Sequence, residues 1–154
     1  QALAQAGSGD WLMVQNETNC QVETATEARR RGVKVVYSAA PFEAEAACAM
    51  LPLTDLLILN MGEAAALRAA LGNVPDAWPV PNVLITKGGE GAVWYQSNIE
   101  PLHIPAHAVT PVDTTGAGDT FAGYVVAGLA ALMVTRMGTA EAIPMQAEVT
   151  AFLE

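Results

Sequence analysis

The sequence predicts an α/β fold, a mostly parallel sheet flanked by helices, and three observations predict it. Short apolar runs alternate with alanine-rich or amphipathic stretches of helical length. The apolar runs are continuous, as in strands buried on both faces. After Thr86 the pattern changes to short strands joined by tight turns, which reads as a meander or hairpin.

The elements follow in order. "QALAQAGSG" reads as the end of a helix, in a chain that opens without Met and so looks like a piece starting in mid-fold. "WLMVQ" (Trp11–Gln15) is the first strand. In "TNCQVETATEARRRG", Thr18 and Gln21 have capping-box spacing, Arg29–Arg31 suit the negative end of a helix dipole, and Gly32 stops the helix. "VKVVY" (Val33–Tyr37) is the second strand. "PFEAEAACAML" is a helix with Pro41 in its first turn. "DLLILN" (Asp55–Asn60) is the third strand, and "GEAAALRAALG" is a helix ending at Gly72. "NVLIT" (Asn82–Thr86) is the fourth strand. "GAVWY", "PLHI" and "AHAVTPV" are the short strands after it. A Gly-rich loop, a very apolar helix and a last amphipathic helix, "IPMQAEVTAFLE", complete the chain.

The chain has 154 residues, enough for one domain with a real core. It is 52% hydrophobic and 15% charged, hence globular. A net charge of -9 argues against nucleic acid or an anionic membrane as the main partner. It does not exclude an anionic ligand, which backbone N–H groups can hold. Cys20 and Cys48 form no C-x-x-C and read as small apolar residues on helices, in keeping with a reducing cytoplasm. The apolar run Val125–Val134 is too short to span a bilayer. His103 and His107 flank Pro105, so they cannot share a helical face as a zinc pair. Trp11, Trp78 and Trp94 are scattered and suit packing.

Ligands of open α/β sheets bind beyond the carboxyl ends of the strands. Here those ends carry Gln15, Asn16 and Glu17; Ser38; Asn60 and Glu63; and Thr86 before "KGGEG". The last end is "VDTTGAGDTFAG", Val112 to Gly123. A helix starting after Gly116-Ala117-Gly118 leaves its first N–H groups unpaired, and small residues let a ligand approach them. Such a hole suits an anion. Asp119 at its mouth either caps the helix or acts as a general base beside a transferring phosphoryl group. The loop matches neither G-x-x-x-x-G-K-[ST] nor G-x-G-x-x-G.

The chain resembles the ribokinase-like family of carbohydrate kinases over nearly its whole length. "VDTTGAGDTFAG" is similar to that family's second signature, "LNMGEA" to its N-x-x-E motif, and "LITKGGEGAVWY" to its nucleotide-site strand and turn. "WLMVQNET" and "VTRMG" match in kind and order. The resemblance implies a Rossmann-like sheet and ATP-dependent phosphorylation of a sugar hydroxyl, a ribose-like pentose first among acceptors. It implies Asp119 as the base and Gly116, Ala117 and Gly118 as the anion hole. It places Asn60 and Glu63 around Mg²⁺, Glu63 through water, and Thr86, Gly88 and Gly91 on the nucleotide. Glu17 would bind a sugar hydroxyl. Asp113 and Thr115, with Gly138, would hold a monovalent cation, usually K⁺. The partners implied are a small sugar and a nucleotide, with a homodimer of the intact protein left open.

Two departures qualify this. The family's amino-terminal, sugar-binding half has no counterpart, so residues 1–154 read as the carboxyl-terminal, nucleotide-binding part, which alone would be inactive. "GLA" also runs straight into "ALMVTRMG", where the family places a further helix, so a missing segment is expected near Ala130–Met133. The alternatives are a non-catalytic nucleotide-binding fragment or module, and an α/β domain whose Gly loop is merely structural.

Overall fold

The computed structural model describes residues 3–106, 110 and 116–133, without the side chains of 127–133. Six strands form one sheet in the order β1-β2-β3-β4-β5-β6. They are β1 (Trp11–Gln15), β2 (Lys34–Ser38), β3 (Leu56–Asn60), β4 (Asn82–Thr86), β5 (Ala92–Gln96) and β6 (Ile99–Ile104). β1 to β4 pair in parallel, while β5 and β6 add antiparallel. The four parallel strands and the hairpin agree with the sequence pattern, to within one or two residues at their ends.

The helices are α1 (Gln21–Arg30), α2 (Ala44–Met50), α3 (Met61–Leu71) and α4 (Ala117–Met133). Because the parallel strands are added in sequence, successive crossovers of one hand leave their helices on one face. Ala25 and Ala28 of α1, Ala47 and Met50 of α2 and Leu67 of α3 all join the cluster built on Val35, Tyr37, Leu57, Leu59, Val83 and Ile85. The other face carries Val36, Leu56, Ile58, Leu84 and Trp94. Against it lie Phe121, Ala122, Val125 and Val126 of α4, at the spacing of one helical face. A leucine buried as Leu57 and Leu84 are, with no exposed surface, contributes about 1.5–3 kcal/mol. Trp78 and Trp94 are core residues, 3% and 7% exposed.

Some local expectations are corrected. Thr18 and Gln21 make no capping box: Cys20 occupies the N-cap with φ 60, and no side chain caps it. Thr18 Oγ1 and Gln21 Nε2 instead donate to Gln15 O, at 3.2 and 3.5 Å. The nearby strand-end carbonyl offers an acceptor that spacing along the chain does not reveal. Pro41 precedes α2 and does not lie in its first turn. Leu3–Gln5 form a turn, with Ala6 N donating to Leu3 O at 3.2 Å. Cys20 and Cys48 are both exposed. Of the expected strand at 106–112, Ala106 and Thr110 are described and are not in a strand, while 107–109 and 111–112 lie outside the described residues, as do "VTRMG" and the last helix; α4 runs helically through Ala130–Met133. Among the described residues, no helix is long and apolar enough to cross a membrane.

At the amino edge of the sheet, Asp55 ties β2 to β3. Its carboxylate accepts from Val35 N at 2.8 Å and from Lys34 Nζ at 3.1 Å. On α1, hydrogen bonds from Arg30 and then Arg31 hold the Glu27 carboxyl down to about 2.

Candidate active site

The candidate site lies at the carboxyl edge of the parallel strands, and strand parity decides which side chains reach it. Trp11 and Met13 of β1 face the α4 side, as do Val36, Ile58 and Leu84 of the next three strands. Side chains alternate along a strand, so Gln15, Ser38, Asn60 and Thr86 hold the same parity. Gln15 and Ser38 are register partners, and so are Asn60 and Thr86. Polar ends of four strands thus share the face on which α4 begins.

The first turn of α4 stands over them. Gly116 has φ 71, a left-handed conformation that glycine adopts without penalty. Gly116, Ala117, Gly118 and Asp119 are exposed. A Cβ built on Gly118 meets nothing within 4 Å. Thr120 N donates to Gly116 O at 2.9 Å, so the amides of Ala117, Gly118 and Asp119 precede this first-turn bond. Asp119 Oδ1 accepts from Gln15 Nε2 at 2.7 Å, joining positions 104 residues apart.

The turn after β1 is fixed by Asn16. Its backbone N donates to Ala40 O at 3.0 Å and its Nδ2 to Pro41 O at 2.9 Å. Its Oδ1 accepts from Tyr37 Oη at 2.6 Å. Burial pushes the Tyr37 phenol up to about 12. Gln15 and Glu17 line a cleft of about 420 Å³ with Met13, Thr18 and Gln21. Glu17 therefore opens onto the same cleft as Gln15.

Asn60 and Glu63 form a reciprocal capping box at the start of α3. Asn60 Oδ1 accepts from Glu63 N at 2.9 Å, and Glu63 Oε2 accepts from Asn60 N at 2.8 Å. The pair offers one carboxylate and one amide oxygen. Among the described residues, no group of three or more His, Cys, Asp or Glu could enclose a metal. This donor set does not suit zinc, but it fits Mg²⁺, which keeps most of its shell as water and phosphate oxygens.

Thr86 ends β4, with Oγ1 donating to Leu59 O at 3.4 Å. Gly88 has φ 59 and open space where a Cβ would stand. Gly91 has a packing reason to be glycine: a Cβ there would overlap the carbonyl oxygen of Ile104. Asp113, Thr115 and Gly138 lie outside the described residues.

A family model described as pfkB family carbohydrate kinase matches residues 1–145. The chain belongs to the pfkB family of carbohydrate kinases. It is 32% identical to a ribokinase of Haemophilus influenzae over 184 aligned positions, covering 100% of this chain and 59% of that protein. Among solved structures of the same fold, a ribokinase from Thermotoga maritima is 32% identical with a TM-score of 0.64, covering 94% of this chain and 56% of that one. A ribokinase from Cryptococcus neoformans in complex with ADP is 26% identical with a TM-score of 0.71, covering 98% and 61%. This chain thus spans about three fifths of each.

The structure brings Asp119 to the end of β1, and pairs Asn60 at the end of β3 with Thr86 at the end of β4. The sequence offers Gln15, Asn16 and Glu17 at the first strand end, and the family resemblance assigns a role there to Glu17 alone. The usable signal was parity: Gln15 shares its face with Trp11 and Met13.

Proposed function

We propose that this chain carries the phosphoryl-transfer part of an ATP-dependent sugar kinase, with a ribose-like pentose as acceptor. One observation carries the reading: the Asp119 carboxylate, in the first turn of α4, is bonded to the carboxyl end of β1 and faces the ligand edge of the sheet.

Asp119 takes the proton from the acceptor hydroxyl as that oxygen attacks the γ-phosphorus of ATP, and the bond from that phosphorus to the β,γ-bridging oxygen breaks to release ADP. The amides of Gly116–Gly118 face the charge that develops on the transferring group. Glu17, on the cleft beside Gln15, hydrogen-bonds another sugar hydroxyl. Thr86 and Gly88 hold the nucleotide phosphates at the end of β4. Asn60 and Glu63 would hold Mg²⁺, Glu63 through water; when bound, the ion would neutralise phosphate charge. Asp113, Thr115 and Gly138 carry the monovalent-cation proposal.

The test is a coupled assay with ribose and Mg·ATP, comparing wild type with Asp119→Asn. Loss of the base should lower kcat roughly 10²–10⁴-fold. An Asn variant that keeps the wild-type rate would remove Asp119 from this role.

A second reading, a nucleotide-binding module without catalysis, is favoured by the alignment with the Haemophilus ribokinase, which takes 184 positions to accommodate 154 residues and so supports a shortened internal segment. Calorimetric binding of Mg·ATP without turnover would select this reading.

A further inference from the structure

Gln15 has a place in the site that the proposed chemistry does not use. Its side chain is on the α4 face by strand parity, beyond Met13. Its main chain is held in register with Ser38, and its carbonyl accepts from Thr18 Oγ1 at 3.2 Å and Gln21 Nε2 at 3.5 Å. The next residue, Asn16, is clamped to Tyr37 and to the carbonyls of Ala40 and Pro41. Gln15 therefore projects from a backbone that has little freedom to move.

From there Nε2 donates to Asp119 Oδ1 at 2.7 Å. The direction of this bond is fixed by chemistry, because an ionised carboxylate only accepts. The contact engages one oxygen and restrains the rotation of the carboxylate, leaving Oδ2 to receive a proton. A neutral amide suits this task. A lysine or arginine would hold the carboxylate as firmly, but its charge would favour the ionised form and weaken the base. On the other flank, the exposed first turn of α4 opens with two small residues, Ala117 and Gly118, which carry no side-chain donor to hold Asp119.

We propose that Gln15 is the positioning residue of Asp119, setting from the end of β1 which carboxylate oxygen meets the acceptor hydroxyl. This rests on the kinase reading for its catalytic consequence, while the contact itself can be tested without turnover.

The experiment has two arms on the 154-residue chain. In the first, the Gln15 side-chain amide resonances are assigned by NMR and followed in Asp119→Ala. A marked shift of those protons supports the contact; unchanged resonances overturn the proposal. In the second, Gln15→Glu, Gln15→Asn and Gln15→Ala are assayed with ribose and Mg·ATP. Gln15→Glu keeps the size and replaces the donor with an acceptor. Gln15→Asn keeps the amide but falls short by one methylene. All three should lose kcat, roughly 10–100-fold for a displaced catalytic group, with KM for Mg·ATP unchanged. A wild-type kcat in Gln15→Ala overturns the positioning role even where the contact exists. If the wild-type chain itself shows no turnover, the kinase reading fails for this chain, and the resonance arm alone decides whether Gln15 holds Asp119.

Discussion

Gly91 lies so close to Ile104 that the space a side chain would need is filled by the Ile104 carbonyl oxygen. The contact comes from the tight passage between β4 and β5, where Lys87 N donates to Gly91 O at 2.7 Å. Gly91 also has φ 96, which a residue with a Cβ adopts only at a cost. Gly91→Ala should therefore destabilise the fold by about 3 kcal/mol or more, since backbone must move. Gly88→Ala, three residues earlier, meets open space and should cost only about 1 kcal/mol for its left-handed φ of 59. Urea denaturation of the two variants measures the difference. Equal losses would mean that Ile104 yields freely.

Asp55 offers a second contrast, at the opposite edge of the sheet. Its carboxylate is 13% exposed and accepts from Val35 N and Lys34 Nζ. Asp55→Ala leaves a strand amide and an ammonium without their acceptor and should cost about 2–4 kcal/mol. Arg29 lies 3.7 Å from the same carboxylate and is 46% exposed. Arg29→Ala should cost under about 1 kcal/mol. Thermal unfolding of both variants checks the order.

These two sites also show what was legible in the sequence. The strands were visible because parallel strands covered on both sides read as unbroken apolar runs, as in Leu56–Leu59 and Val83–Ile85. The sheet order was not, because it depends on which crossover packs where. The Thr18–Gln21 spacing looked like a capping box, but the Gln15 carbonyl drew both side chains away. The box forms instead at Asn60 and Glu63, a pair singled out for metal chemistry. Asp119 was visible as the polar end of a Gly loop. Gln15 was visible as a strand-end group but not as the partner of Asp119, because the contact spans 104 residues and strand parity gives only the face.

Tyr37 makes alkaline stability predictable in sign. Its ring is fully buried, and desolvation pushes the phenol up to about 12 from the ordinary 10. The folded state therefore holds this proton more tightly than the unfolded chain. The resulting stabilisation is complete below about pH 10 and is lost as pH rises through about 12. Wild type should lose stability across that window faster than Tyr37→Phe, which has no proton there to release. Chemical denaturation at successive pH values, compared between the two, measures this. Parallel pH slopes would show that Tyr37 ionises no differently after folding.

Glu63 carries two roles that a pair of variants separates. As a cap, its Oε2 accepts from Asn60 N at 2.8 Å and its charge sits in the first turn of α3. As part of the proposed Mg²⁺ site, its charge faces the waters around the metal. Glu63→Gln keeps an oxygen for the Asn60 amide, so stability should fall by less than about 1 kcal/mol. It removes the negative charge, so affinity for Mg·ATP should fall roughly tenfold, about 1.4 kcal/mol, while affinity for ATP without metal stays unchanged. Glu63→Ala loses the cap as well and should cost about 1 kcal/mol or more of stability in addition to the same loss of Mg·ATP affinity. Urea denaturation reads the first role and calorimetry, with and without Mg²⁺, reads the second. If Glu63→Gln binds Mg·ATP as wild type does, the carboxylate serves α3 alone, and the N-x-x-E spacing in this chain is a helix start.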